Sequence, residues 1–323
     1  MTAEYLQAYL TSTGDAPELL AGLLVLGPLY GGAALLIREL GLRTGRGWPG
    51  VLLLAAAFGL AMPGLVDLAL FGEQRADVAY WAELREPTLL EPLGISAYTT
   101  ISWTAGHVVM SVGAPLALLS ALAPAHRGRP LLGKAGIGVT ALLFALAAVP
   151  VHLDGQRMYG YELSLPQAAG VLVVVALLCG AAFSRLGLPV AARAGGRAVP
   201  ALWIVAGGVP AKGFDLLPPT WLGVAGCVAL GVGAAGGTWW LAVNRRWSPR
   251  EVGLLGGSAV VGGTLVGFLS PLPDGVAAVA KYGQSAVLLL LAVAVVVLVS
   301  RTSGAEAGVA PGRGGVPASA GER

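Results

Sequence analysis

Nine continuous apolar stretches divide this chain, at about residues 18–38, 49–71, 98–122, 135–153, 166–184, 198–214, 220–242, 252–270 and 284–300. Most reach the roughly 20 residues that an α-helix needs to cross the hydrocarbon core of a bilayer. Barrel strands would instead be about 10 residues long with alternating polarity, so the stretches read as helices. Composition agrees. Charged residues make up only 11% of the chain and hydrophobic residues 56%, whereas a soluble domain carries about 25% charge. A water-soluble domain and a disordered chain are both excluded. The expected fold is all-α, a polytopic transmembrane helix bundle of about nine spans. Residues 1–17 form an extracytoplasmic segment and 18–300 the helical domain, with an outer loop at 72–97. Residues 301–323, rich in Gly, Ala, Pro and Ser, form a tail that cannot bury enough apolar surface to order.

Basic residues orient the bundle. Arg38, Arg43 and Arg46 follow the first stretch, and Arg127, Arg129 and Lys134 the third. Arg185, Arg193 and Arg197 follow the fifth, Arg245, Arg246 and Arg250 the seventh, and Arg301, Arg313 and Arg323 the ninth. Of the 20 Lys and Arg, only Arg75, Arg85, Arg157, Lys212 and Lys281 are left for the other side. By the positive-inside rule, the N-terminus is expected outside and the C-terminus in the cytoplasm. The loop 72–97 is acidic (Glu73, Asp77, Glu83, Glu86, Glu91) and has room for a short amphipathic helix. The net charge of +3 is dispersed in these clusters, so the expected partner is the lipid bilayer and not nucleic acid. The sequence names no small-molecule ligand and no protein partner. Cys179 and Cys227 fall within apolar runs and form no disulfide framework. No positively charged region precedes the first apolar run, so no cleavable signal peptide is expected.

Familiar motifs fail on context. Gly128–Lys134 resembles a phosphate loop, but Ala135 stands where a Ser or Thr is needed. Gly231-Val-Gly233-Ala-Ala-Gly236 lies inside a spanning helix, whose amides are already bonded. HExxH, CxxC and GxSxG are lacking. No catalytic residue, metal ligand or cofactor is assigned. The glycine pairs 233/237, 253/257 and 263/267 are spaced by four, which predicts that the seventh and eighth helices pack tightly together. Pro28, Pro63, Pro115, Pro150 and Pro210 should each kink a helix.

Ionisable residues within spans are costly and define candidate sites. Asp67 shares a face with Pro63, Gly59 and Ala56, a small-residue face that must meet protein. Thr100, Thr104, His107 and Ser111 form one polar stripe on the third helix, spaced 4, 3 and 4. At 1.5 Å per residue, Asp67 lies about 6 Å and His107 about 13 Å below the outer boundary, so they meet only through a helix shift or a bridge. Both are expected to line one outward-facing polar cavity. His152 and Asp154, and Lys212 and Asp215, are candidates at outer helix ends, the latter pair either a solvated ion pair or a re-entrant gate. Glu39 and Arg43 read as an ordinary i,i+4 pair.

The stretch Pro28–Leu40, then Gly45-Arg-Gly-Trp-Pro49, Gly64–Phe71 and Gly106–Val109, resembles an uncharacterised family of bacterial multi-pass membrane proteins. The likeness covers about the first third of the chain and implies a location in the bacterial cytoplasmic membrane. Some members of that family are distantly similar to CPBP-type intramembrane proteases, which use a glutamate pair and histidines to activate water. Here Met62-Pro63 stands where that pair is sought, and only His107 could stand for a protease histidine. The expected role is a small-solute or lipid-like transporter or an accessory membrane subunit. The alternatives are an inactive or divergent relative of an intramembrane hydrolase, or a purely structural partner.

Overall fold

The computed structural model describes residues 2–302 except 76, 77, 79, 192, 194 and 195, and only the backbone of Thr2 and Ala3. Asp77 and the tail beyond Thr302 lie outside the described residues. The chain is a helix bundle. A short α1 (Thr2–Gln7) precedes α2 (Ala16–Arg43) and α3 (Trp48–Val66). The outer loop holds α4 (Trp81–Arg85) and a two-strand antiparallel hairpin, β1 (Leu89–Leu90) with β2 (Ile95–Ser96). Then follow α5 (Ala97–Leu122), α6 (Lys134–Tyr159), α7 (Leu165–Phe183), α8 (Ala201–Ala211), α9 (Trp221–Asn244), α10 (Pro249–Leu269) and α11 (Ala278–Arg301). Several ends are set by side-chain caps. Ser96, Ser164, Thr220 and Ser248 each accept from a backbone amide of the first turn, with full capping boxes at Ser164/Gln167 and Ser248/Glu251.

Among the described residues, eight helices are long and apolar enough to cross a membrane. The sixth expected span, 198–214, departs from that pattern. α8 has 11 residues, about 16 Å of helix. A tighter 3-10 turn over Lys212–Leu216 extends it, adding about 10 Å at its steeper rise. This composite runs alongside α10: Ile204 packs with Leu254, Gly208 against Ser258, and Lys212 against Gly262. It therefore traverses most of the bundle despite its short α-helix.

The alternation of loops follows. On one face, Arg38 Nη2 donates to His126 O (2.7 Å) and Arg129 O (3.0 Å), and Arg46 Nη1 to Phe183 O and Ser184 O (both 3.1 Å). Arg246 N donates to Arg197 O, and Arg250 Nε to Ser300 O. These bonds gather the arginine-rich loops at one end. At the other end Tyr98 OH donates to Leu217 O, Gln7 Nε2 to Asp215 Oδ2, and Arg75 Nη1 to Tyr159 OH. Glu39, read from sequence as half of an ordinary surface pair, is buried at the arginine-rich end. Its carboxylate accepts from Leu131 N (2.6 Å), Arg38 Nη1 (3.2 Å) and Arg43 Nε (3.3 Å), clamping the loop after α5 to the end of α2.

α10 is the central post. A β-carbon at Gly256 would lie 2.7 Å from Ala117 Cβ, one at Gly257 2.8 Å from Val296, and one at Gly263 2.9 Å from Met110. Gly253 meets Ala121, and Gly267 the backbone of Leu6. The glycines of the eighth span thus seat α10 against α1, α5, α8 and α11. The expected tight pairing of the seventh and eighth spans does not form. Gly233 and Gly237 of α9 have nothing within 4 Å, and α9 instead packs on α5 through Cys227 and Tyr98. Four-residue spacing says that a backbone can be approached, not by which neighbour.

In a background lacking Cys179 and Cys227, single cysteines at 91 and 160 should react with an impermeant maleimide added to intact cells. Those at 129 and 185 should react only after permeabilisation. The packing difference is equally testable by thermal unfolding in detergent. Gly262→Val should cost about 1–3 kcal/mol through overpacking, because its side chain would lie 2.7 Å from Val209 O. Gly233→Ala on the open face of α9 should be neutral or stabilise by up to about 1 kcal/mol.

Candidate functional site: a polar cluster between the helix bulges

The prolines shape the candidate site. Pro28 lies in a π-helical turn over Gly27–Gly32 of α2, and Pro63 in one over Met62–Val66 of α3. Pro115 follows a third, over His107–Gly113 of α5. Proline lacks the amide that would bond four residues back, and its ring collides with that carbonyl. A widened turn relieves the collision, as in the Asp67 N to Met62 O bond of 2.9 Å. Three consecutive spans are therefore bulged.

Aromatic packing joins the bulges. The Tyr30 ring stacks on the His107 imidazole, centroids 5.6 Å apart at 24°. Phe58 meets His107 edge-on at 5.7 Å and Tyr30 at 6.2 Å. His107 Nδ1 lies 3.0 Å from Ser111 Oγ. A β-carbon at Gly59 would be 2.9 Å from both His107 Cβ and Thr104 O, so the small face of α3 packs on the polar stripe of α5. Thr100 Oγ1 donates to Ser96 O at 2.6 Å, turning its hydroxyl back onto its own helix.

Asp67 ends the bulge of α3. Its Oδ1 accepts from Ala69 N at 2.9 Å, bracing Leu68, which is buried in the left-handed region at φ 62°. A branched-chain-sized side chain is strained there, and the carboxylate contact helps to hold it. Glu4 of α1 shares a hydrogen bond with Tyr30, whose ring stacks on His107.

Sequence reasoning missed Glu4, because it precedes the first apolar stretch, within the segment read as extracytoplasmic. The available signal was the run Tyr5-Leu6 with Tyr9 one turn on, which is unusually apolar for a free terminus. Leu6 packs against Met110, Ala114 and Ala259, wedging α1 between α5 and α10.

The outer-end candidates separate. His152 Nδ1 lies 2.9 Å from Leu65 O and ties α6 to the bulge of α3. Asp154 is exposed. Lys212 is buried and paired with Asp215, whose Oδ2 also accepts from Gln7 Nε2 at 2.6 Å. A recess of about 260 Å³ opens beside the cluster between α2, α3, α6 and α7, lined by apolar residues including Phe58, Phe144 and Cys179. Its lining includes none of the four stripe residues. Among the described residues, no three His, Cys, Asp or Glu side chains gather so as to hold a metal ion. Two carboxylates, an imidazole and a phenol can instead accept, hold and pass a proton. Comparison with known protein families, characterised proteins and solved structures finds no match for this chain.

Asp67→Asn keeps an acceptor for Ala69 N and should fold with little loss. Asp67→Leu strands that amide and should cost about 1–3 kcal/mol. Thermal unfolding midpoints in detergent check both changes.

Proposed function

We propose that this integral membrane protein is a proton-linked transporter of a small solute, with its arginine-rich face in the cytoplasm. The observation that carries this reading is the stack of Tyr30 on His107 between two π-bulges, with Asp67 ending a third and Glu4 bonded to Tyr30. Intramembrane ionisable groups are expensive and mark proton and substrate pathways, and π-bulges frequently occur at functional sites. Bulged helices also free backbone groups where a cavity can be lined without exposing them to lipid. The apolar recess beside Phe58 favours a solute, or a lipid-like molecule, with an apolar part next to its polar head. In this reading Asp67 and His107 carry the proton, Glu4 adds negative charge, and Tyr30 orients the imidazole by stacking.

Hydrolysis is the less favoured reading. Met62-Pro63 sits in the α3 bulge, where the resemblance to the intramembrane proteases would need acidic groups. Glu4 comes from a separate segment and bonds Tyr30.

Purified protein in liposomes containing a pH-sensitive dye should acidify the lumen on addition of at least one member of a panel of amino acids, monocarboxylates and organic cations. Asp67→Asn and His107→Ala should each slow that response at least tenfold (about 1.4 kcal/mol). Silence across the whole panel, or a response equal in the variants, would overturn proton-linked transport. Cleavage of a transmembrane peptide that is abolished by His107→Ala would replace transport by hydrolysis.

A further inference from the structure

We propose that residues 2–15 form a releasable strap closing the outer side of the polar cluster. The proposal goes beyond transport and depends only on the geometry at the outer end of the bundle.

The strap's attachments are few and mostly polar. Gln7 holds it twice: its side chain donates to Asp215 Oδ2 at 2.6 Å, and its carbonyl accepts from Ser270 Oγ at 2.7 Å. Gln284 of α11 holds it twice more, with Nε2 donating to Tyr5 O at 2.9 Å and Oε1 accepting from Gly14 N at 2.8 Å. Leu6 is its buried apolar anchor, and its backbone rests on Gly267, where any β-carbon would collide. The receiving surface is built from buried cations. Lys281 Nζ donates to Gly267 O (2.8 Å) and Ser270 O (2.7 Å), closing the end of α10 directly beneath Gln7. Lys212 anchors Asp215 on the other side. Two buried lysines thus stiffen the dock, while the strap is held by glutamine amides, by Tyr5 OH donating to Leu19 O (2.6 Å) and by Glu4 on Tyr30, with Leu6, Ala8 and Thr13 buried.

α1 has six residues, too few to be a stable helix by itself. Its conformation therefore depends on docking. The chain then reverses through Ala8, which is buried with φ at 49°, and through Gly14, with φ at 86°, before Asp15 caps α2. Docking places Glu4 beside Tyr30 and His107 and Leu6 on Met110, next to Ser111. Undocking would remove one carboxylate from the cluster and uncover Met110, beside Ser111 at the inner end of the α5 stripe, in one movement. That coupling of access to site composition is what a gate requires.

The test uses full-length protein lacking Cys179 and Cys227, with Ser111→Cys as reporter, and a small cationic thiosulfonate as probe. With the strap intact, labelling should be slow. Gln7→Ala with Gln284→Ala should raise the rate at least tenfold. Gln284→Ala alone, which removes a side chain from the half-buried rim, is the milder variant if the double variant does not fold. A separate Leu6→Cys reporter reads strap departure. Fast labelling at position 6 with unchanged labelling at 111 would show that the strap covers nothing. Slow labelling at both positions in the folded release variants would show that it does not leave. Neither readout needs transport, so failure of the solute assay leaves this test intact.

Discussion

Close backbone approach around α10 is the constraint on which the rest of the structure depends. Lipid provides little hydrophobic drive for helices to associate, so dispersion contacts at short range must hold them. Glycines along α10 admit α5, α8, α11 and the N-terminal α1 on different faces. Where Gly253 faces Ala121 and Gly208 faces Ser258, side chains meet with almost nothing between the helix axes. α6, α7 and α9 expose long apolar faces, as expected of helices whose other solvent is lipid.

The same constraint explains why the polar cluster lies where it does. Proline in a spanning helix frees carbonyls that lipid cannot satisfy. Pro28, Pro63 and Pro115 place three bulges in consecutive spans. Packed against one another, these bulges place Tyr30, His107 and Asp67 toward protein. Pro210 acts differently. It sits at the end of α8, just before the chain tightens into the 3-10 turn that carries Lys212 and Asp215 to the strap.

Buried charge in this protein is concentrated near helix ends, where freed backbone groups can satisfy it. Glu39 gathers a loop amide and two arginines. Glu251 completes a capping box at the start of α10, and Lys281 bonds two carbonyls at its end. Negative charge at a helix N-terminus and positive charge at its C-terminus both match the macrodipole. The two ends of the central post are thereby electrostatically complementary to the residues that close them.

The length of most apolar stretches and the alternation of arginine-rich loops were legible because each is a local property. A run either spans or falls short, and a loop carries its own charge. Even α8, short as an α-helix, kept its place in the alternation because the arginines before it and Lys212 after it mark opposite ends. The partner of each small-residue face was not legible. Gly233 and Gly253 have the same spacing pattern, yet only α10 is enclosed, and that depends on the shapes of all its neighbours together. The role of Glu4 was hidden for a related reason. A charged residue before the first span reads as solvated until the chain folds back. Its proximity to Tyr30 and His107 arises from contacts more than 20 residues apart in sequence, which only the packed tertiary structure brings together.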